Sequence, residues 1–130
     1  MNLVTSTLDS VIVVWHVAVN AGDADTAAGA CTEDVALTDL ANDGTSIGVD
    51  AMRQWVSTSG VRLMPRDAYD VPGGIVVSQE VTYPGRADYD QSTAPVRVYT
   101  AFGLRDGSIS SVRRFDSLDA ARSYSLVAAA

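Results

Sequence analysis

Few side chains in this sequence combine a reactive group with a sheltered position. Asp39 follows Leu37 by two residues in an apolar stretch, so in a strand the two share a face. A lone carboxylate on an apolar wall resists ionisation because desolvation penalises the anion, and such a base can take a proton from a carbon beside a carbonyl. The following Ala41-Asn42-Asp43-Gly44 gives Asp39 a second reading, as a turn residue bonding backbone N–H groups. His16 is the only histidine and lies next to Trp15. It can shuttle a proton if its ring reaches a cavity, or simply pack within a helix. Any metal cluster or Ser-His-Asp triad would depend on it alone. The single cysteine, Cys31, rules out a cysteine zinc site and an internal disulfide, and reads as buried and inert. No metal and no cofactor are expected, and nothing resembles a phosphate loop.

The elements that must position these groups are legible from periodicity. Leu8, Val11, Ile12, Trp15, Ala18 and Val19 recur at helical spacing between Thr7, a candidate N-cap, and Gly22. Asp23 caps a short Ala-rich helix reaching about Cys31. Val35 to Leu40 reads as a strand, and Gly48-Val49-Asp50 opens a third helix with Met52, Trp55 and Val56 on one face, ending at Gly60. The period then changes to two. Strands are predicted over Val61–Val71, Ile75–Tyr83, Val96–Leu104 and Ser108–Phe115, with hairpin turns at Pro72-Gly73-Gly74 and Asp106-Gly107. Pro65 marks an edge or bulge, and Pro84 to Pro95 is a longer connection able to cover a pocket mouth. Ser117 caps a last helix carrying Leu118, Ala121 and Leu126. Alternation alone buries Val77, Val81 and Tyr83 and leaves Ser78, Glu80 and Thr82 in water.

At 130 residues the chain fits one domain, 1–130, with loose ends at 1–6 and 127–130. Its net charge of −7 and scattered basic residues argue against nucleic-acid and membrane partners. The N-terminus lacks a signal-peptide pattern and no apolar run reaches membrane-spanning length, so a cytoplasmic protein is expected. Helices interleaved with one strand, followed by four consecutive strands, imply an α+β domain with helices on one face of the sheet.

Five segments carry a resemblance: Ala18-Val19-Asn20-Ala21-Gly22-Asp23, Thr32-Glu33-Asp34-Val35, Gly48-Val49-Asp50-Ala51-Met52, Arg105-Asp106-Gly107-Ser108-Ile109 and Arg113-Arg114-Phe115-Asp116. Over nearly its whole length the chain resembles the nuclear transport factor 2-like superfamily, which includes SnoaL-like polyketide cyclases, ketosteroid isomerases and limonene epoxide hydrolases. The resemblance implies a cone-shaped domain, its curved mixed or antiparallel sheet packed on three to four helices around an internal pocket. It implies apolar walls from Trp15, Leu37, Met52, Trp55, Phe102 and Val112, and polar groups from Asp39, Glu80, Thr82, Thr100 and Arg114.

In the ketosteroid isomerase layout Asp39 takes the place of the base, while Trp15 and Thr100 stand where that family has its tyrosine and protonated aspartate. The epoxide hydrolase triad falls on Glu80, Thr82 and Arg114, which differ in kind, so epoxide opening is not expected. The resemblance turns Glu80 and Arg114 inward, as a substrate-orienting pair or a structural ion pair, and sets Val77, Val81 and Tyr83 against a second subunit in a homodimer. The implied function is a cofactor-free isomerase, cyclase or dehydratase acting on a small hydrophobic carbonyl compound. Asp39 would be the base, with Arg114, Thr100 or His16 serving the oxygen. The alternative is a non-catalytic ligand-binding or dimeric interaction module.

Overall fold

The computed structural model describes residues 9–40, 44–84 and 94–124. Helix α1, Ser10–Ala21, starts after Asp9; the cap expected at Thr7 lies outside the described residues. It stops at Gly22, whose left-handed backbone lets its own N–H and that of Asp23 close on the carbonyls of Val19 and Ala18. Helix α2, Ala24–Gly29, is capped by the Asp23 carboxylate, which accepts from the Thr26 N–H and hydroxyl. Strand β1 runs Cys31–Thr38, earlier than expected, because its first residue pairs with Ile109 and the Ala30 carbonyl accepts from the Ile109 N–H. Strand β2, Thr45–Ile47, was not anticipated; three exposed residues carry no readable alternation. Helix α3, Val49–Ser59, buries Met52, Trp55 and Val56 as its spacing predicts.

The meander follows as β3 Arg62–Val71, β4 Gly74–Thr82, β5 Val96–Arg105 and β6 Ser108–Phe115, closed by α4 Leu118–Ser123 with Ser117 as its cap. Leu126, assigned to that helix from sequence, lies outside the described residues. Together the strands form one six-stranded sheet in the order β2-β1-β6-β5-β4-β3, mixed because β1 runs parallel to β6. A register shift between Pro65 and Ala68 places a bulge where the proline predicts one.

Register decides which side chains face the helices. Ile75, Val77 and Gln79 of β4 lie level with Phe102, Thr100 and Val98 of β5, and Phe102 and Thr100 with Val112 and Arg114 of β6. This face and helices α1, α2 and α3 enclose the main core, which also takes Val81 and, at its margin, Tyr83. Val76 and Ala101 point the other way, meeting Ala121 of α4 in a small second core beside Tyr69, Tyr99 and Phe115. Two expectations taken from the resemblance are thereby corrected. Glu80 and Thr82 lie on the outer face, and Val77 and Val81 are buried inside their own chain with Tyr83 partly buried at its margin, so this row does not form a face for a second subunit. Plain alternation had the right phase, although Ser78, which it left in water, is buried and accepts from the Asp67 N–H. An apolar row of β-branched side chains loses far more by facing water than a Glu, Ser and Thr row does.

Candidate functional site

The helix-facing side of the sheet carries a chain of buried polar groups. His16 projects from α1, where its Nδ1 lies 2.8 Å from the Ile12 carbonyl and its Nε2 lies 2.8 Å from the Gln79 amide nitrogen. The Gln79 oxygen accepts the Thr100 hydroxyl at 2.7 Å. All three side chains are buried, so each bond replaces one that water would otherwise make. Burial lowers the His16 pKa, against the opposing pull of its bond to Ile12, because the charged ring would lose its solvation. His16 is therefore a neutral, packed residue wedged edge-on against Trp15 and tilted against Phe102.

Above this chain, at the C-terminal ends of β1, β4 and β6, lies a second polar group. The Arg114 guanidinium reaches the Leu40 carbonyl at 3.4 Å and the Tyr83 hydroxyl at 3.3 Å, both long for hydrogen bonds. Its Nε is buried without a partner, and among the described residues Arg114 makes no ion pair. The expected Glu80–Arg114 pair is absent because the two residues sit on opposite faces of the sheet. Glu80 instead accepts from Arg66 at 2.7 Å and from Arg97 at 3.2 Å, and these two, Arg66 foremost, hold its carboxyl below the usual range.

Asp39 lies one residue past Thr38, the β1 partner of Arg113, and so at the level of Arg114. Its backbone is left-handed, with φ of 59°. Its carboxylate accepts from the Gly44 N–H at 3.1 Å, while its own N–H donates to the Gly44 carbonyl at 3.0 Å. This is the turn geometry that Ala41-Asn42-Asp43-Gly44 suggested. The loop tip, 41–43, lies outside the described residues.

The residues named as apolar walls fill the interior. Trp15 stacks on Trp55 at 5.8 Å and meets Phe102 edge-on at 5.1 Å. Met52, Phe102 and Val112 are 0 % exposed and Leu37 is 5 % exposed, so no void large enough for a water molecule lies against the first three. The Trp15 indole N–H is buried without a partner. An open groove of about 410 Å³ lies elsewhere, between the C-terminal ends of α1 and α3 and the start of β3, and none of the expected site residues lines it. Among the described residues, no three His, Cys, Asp or Glu side chains come together as a metal site, and no helix is long and apolar enough to cross a membrane.

Gln79 was not singled out from the sequence, and Tyr83 was named only as a buried or interface residue. Gln79 had a signal: it is a polar residue on the buried phase of Ile75, Val77 and Val81. Tyr83 had none beyond its burial, since its role depends on where β6 lies.

No protein-family model and no curated protein matches this chain. Solved structures do match. An NTF2-like protein of unknown function from Cytophaga hutchinsonii aligns with a TM-score of 0.68 at 11% identity, over 88% of this chain and 93% of the other. The fold is that of the nuclear transport factor 2-like superfamily. TerC, co-crystallised with polyporic acid, aligns at 0.66 and 20% identity over 85% and 91% of the two chains. The epoxide hydrolase/cyclase-like enzyme SalBIII of salinomycin pyran ring formation aligns at 0.66 and 19% identity over 84% and 89%. At such identities the likeness is one of fold, and nuclear transport factor 2-like domains host many unrelated activities.

Proposed function

We propose that this chain binds a small apolar molecule bearing a carbonyl or acidic oxygen, seated on Arg114 behind the turn of Asp39 and Leu40. The observation that carries the reading is the half-buried Arg114 guanidinium, with an unpartnered Nε and, among the described residues, no ion pair. A sheltered cation without a counter-ion is costly, and an oxygen supplied by a ligand removes that cost. TerC, with bound polyporic acid, and SalBIII, in polyether ring formation, are neighbours of the same fold whose molecules are oxygenated. The test is calorimetric titration with a panel of hydrophobic ketones and carboxylic acids. Micromolar binding that falls at least tenfold in Arg114→Met supports the site; equal binding by both proteins refutes it.

A second reading keeps catalysis at Asp39. Its left-handed backbone at the level of Arg114 favours it, since strained non-glycine residues gather at working sites. In that case Asp39 takes a proton beside the carbonyl held by Arg114, without a cofactor, as an isomerase, cyclase or dehydratase requires. Hydrogen–deuterium exchange in candidate ketones tests it: Asp39→Asn, which can still accept from Gly44, should abolish exchange, and unchanged exchange would sink the assignment. The homodimer remains part of the proposal, moved to the outer sheet face with exposed Met64 and the half-buried rings of Tyr69 and Tyr99.

A further inference from the structure

The buried polar chain has a direction, and the direction constrains what can bind beside it. The Ile12 carbonyl can only accept, so the His16 proton sits on Nδ1 and leaves Nε2 as a lone pair. Gln79 must then turn its NH₂ toward His16 and its oxygen toward Thr100, which matches the contacts formed. The Thr100 hydroxyl proton is thereby committed to Gln79, and its oxygen has only lone pairs left to offer. Thr100 pairs in register with Arg114 on the neighbouring antiparallel strand, and both face the helices. Residues paired this way have Cβ atoms about 5 Å apart. An acceptor-only oxygen and a cationic donor thus arise from paired positions on adjacent strands.

We propose that the polar end of the ligand is a hydroxyl and a carbonyl oxygen a few ångströms apart, as in a β-hydroxy ketone. The carbonyl accepts from Arg114 and the hydroxyl donates to Thr100. His16 and Gln79 are positioning residues, which fix Thr100 as an acceptor without touching the ligand. Thr100 is buried, so seating the ligand requires side chains packed over it to move. This inference rests on the placement of the ligand at Arg114.

The experiment pairs a tautomer measurement with a ligand series. Long-range ¹⁵N NMR of the free protein at pH 7.5 should show His16 protonated on Nδ1; an Nε2-protonated ring overturns the proposed direction whatever binds. Three probes are then titrated: hydroxyindanone, with its hydroxyl β to the ketone, its methyl ether, and unsubstituted indanone. The wild type should prefer hydroxyindanone to the ether by about tenfold, the worth of one hydrogen bond. Thr100→Val should erase that preference, bringing hydroxyindanone and its ether to equal affinity, and Thr100→Ser should keep it. Equal binding of all three, still dependent on Arg114, overturns this inference and leaves the Arg114 site standing. Binding of none overturns both.

Discussion

Lowering the pH from 7.5 should weaken this protein well before its carboxylates titrate, because His16 is the only histidine and is held neutral. Its ordinary pKa of 6.5 applies to the unfolded chain, and burial lowers the folded value. Above pH 7.5 neither state binds the proton, and the contribution is complete. Below 6.5 the unfolded state takes up a proton that the folded state refuses, so stability falls with pH until the folded pKa is reached. The slope approaches about 1.4 kcal/mol per pH unit. At pH 5.5 the loss is at most about 1.4 kcal/mol, or at most about 4 °C in Tm for a domain of this size. Asp34, lowered chiefly by Arg105, and Glu80, lowered chiefly by Arg66, lose their stabilisation only as pH falls below the carboxylate range, so they leave this window clear. Urea unfolding at pH 8, 7, 6 and 5.5 reads the slope directly. His16→Phe should flatten it, while costing about 1–3 kcal/mol at pH 8 because the Gln79 amide N–H loses its buried partner. A wild-type stability that is flat, or that rises as pH falls from 7.5 to 5.5, would refute the reasoning.

Other outcomes follow from single contacts. Arg114→Met should leave stability unchanged or raise it by about 1 kcal/mol while weakening ligand binding, since it removes a sheltered cation that makes no ion pair among the described residues; a loss above about 2 kcal/mol in urea would show that the long contacts to Leu40 and Tyr83 outweigh its desolvation. Asn20→Ala should cost about 2 kcal/mol, because its side chain accepts from the Leu63 N–H at 2.7 Å and donates to the Leu63 carbonyl at 2.9 Å, tying α1 to β3. Gly103→Ala should cost about 1–3 kcal/mol, since a Cβ there collides with the Ser111 Oγ across the β5–β6 register shift; Gly103→Ala with Ser111→Gly should recover most of it. Light scattering should report a dimer for the wild type and a monomer for Met64→Asp, and a monomeric wild type would remove the outer-face interface.

The sequence by itself determined the element order apart from the short β2, the helix ends at Gly22 and Gly60, the bulge near Pro65 and the meander of the second half. These depend on local chemistry: a left-handed glycine, a proline without an N–H, and the change of period from 3.6 to 2. Alternation in β4 even set the buried phase correctly, and the aromatic residues read as apolar walls are indeed interior. Tertiary structure alone decided what those residues do. Whether Trp15, Trp55 and Phe102 line a space or fill it depends on how closely α1 and α3 approach the sheet, and no spacing encodes that distance. Asp39 had two locally consistent roles, and the hydrogen bonds with Gly44 selected the turn geometry. Glu80 and Arg114 were matched by position in a family pattern, but a one-residue difference of phase puts a strand residue on the other face, and only the pairing of β4, β5 and β6 fixes that phase. The same pairing brings Thr100 beside Arg114 and Gln79 under His16, residues from three elements whose meeting is a property of the folded sheet.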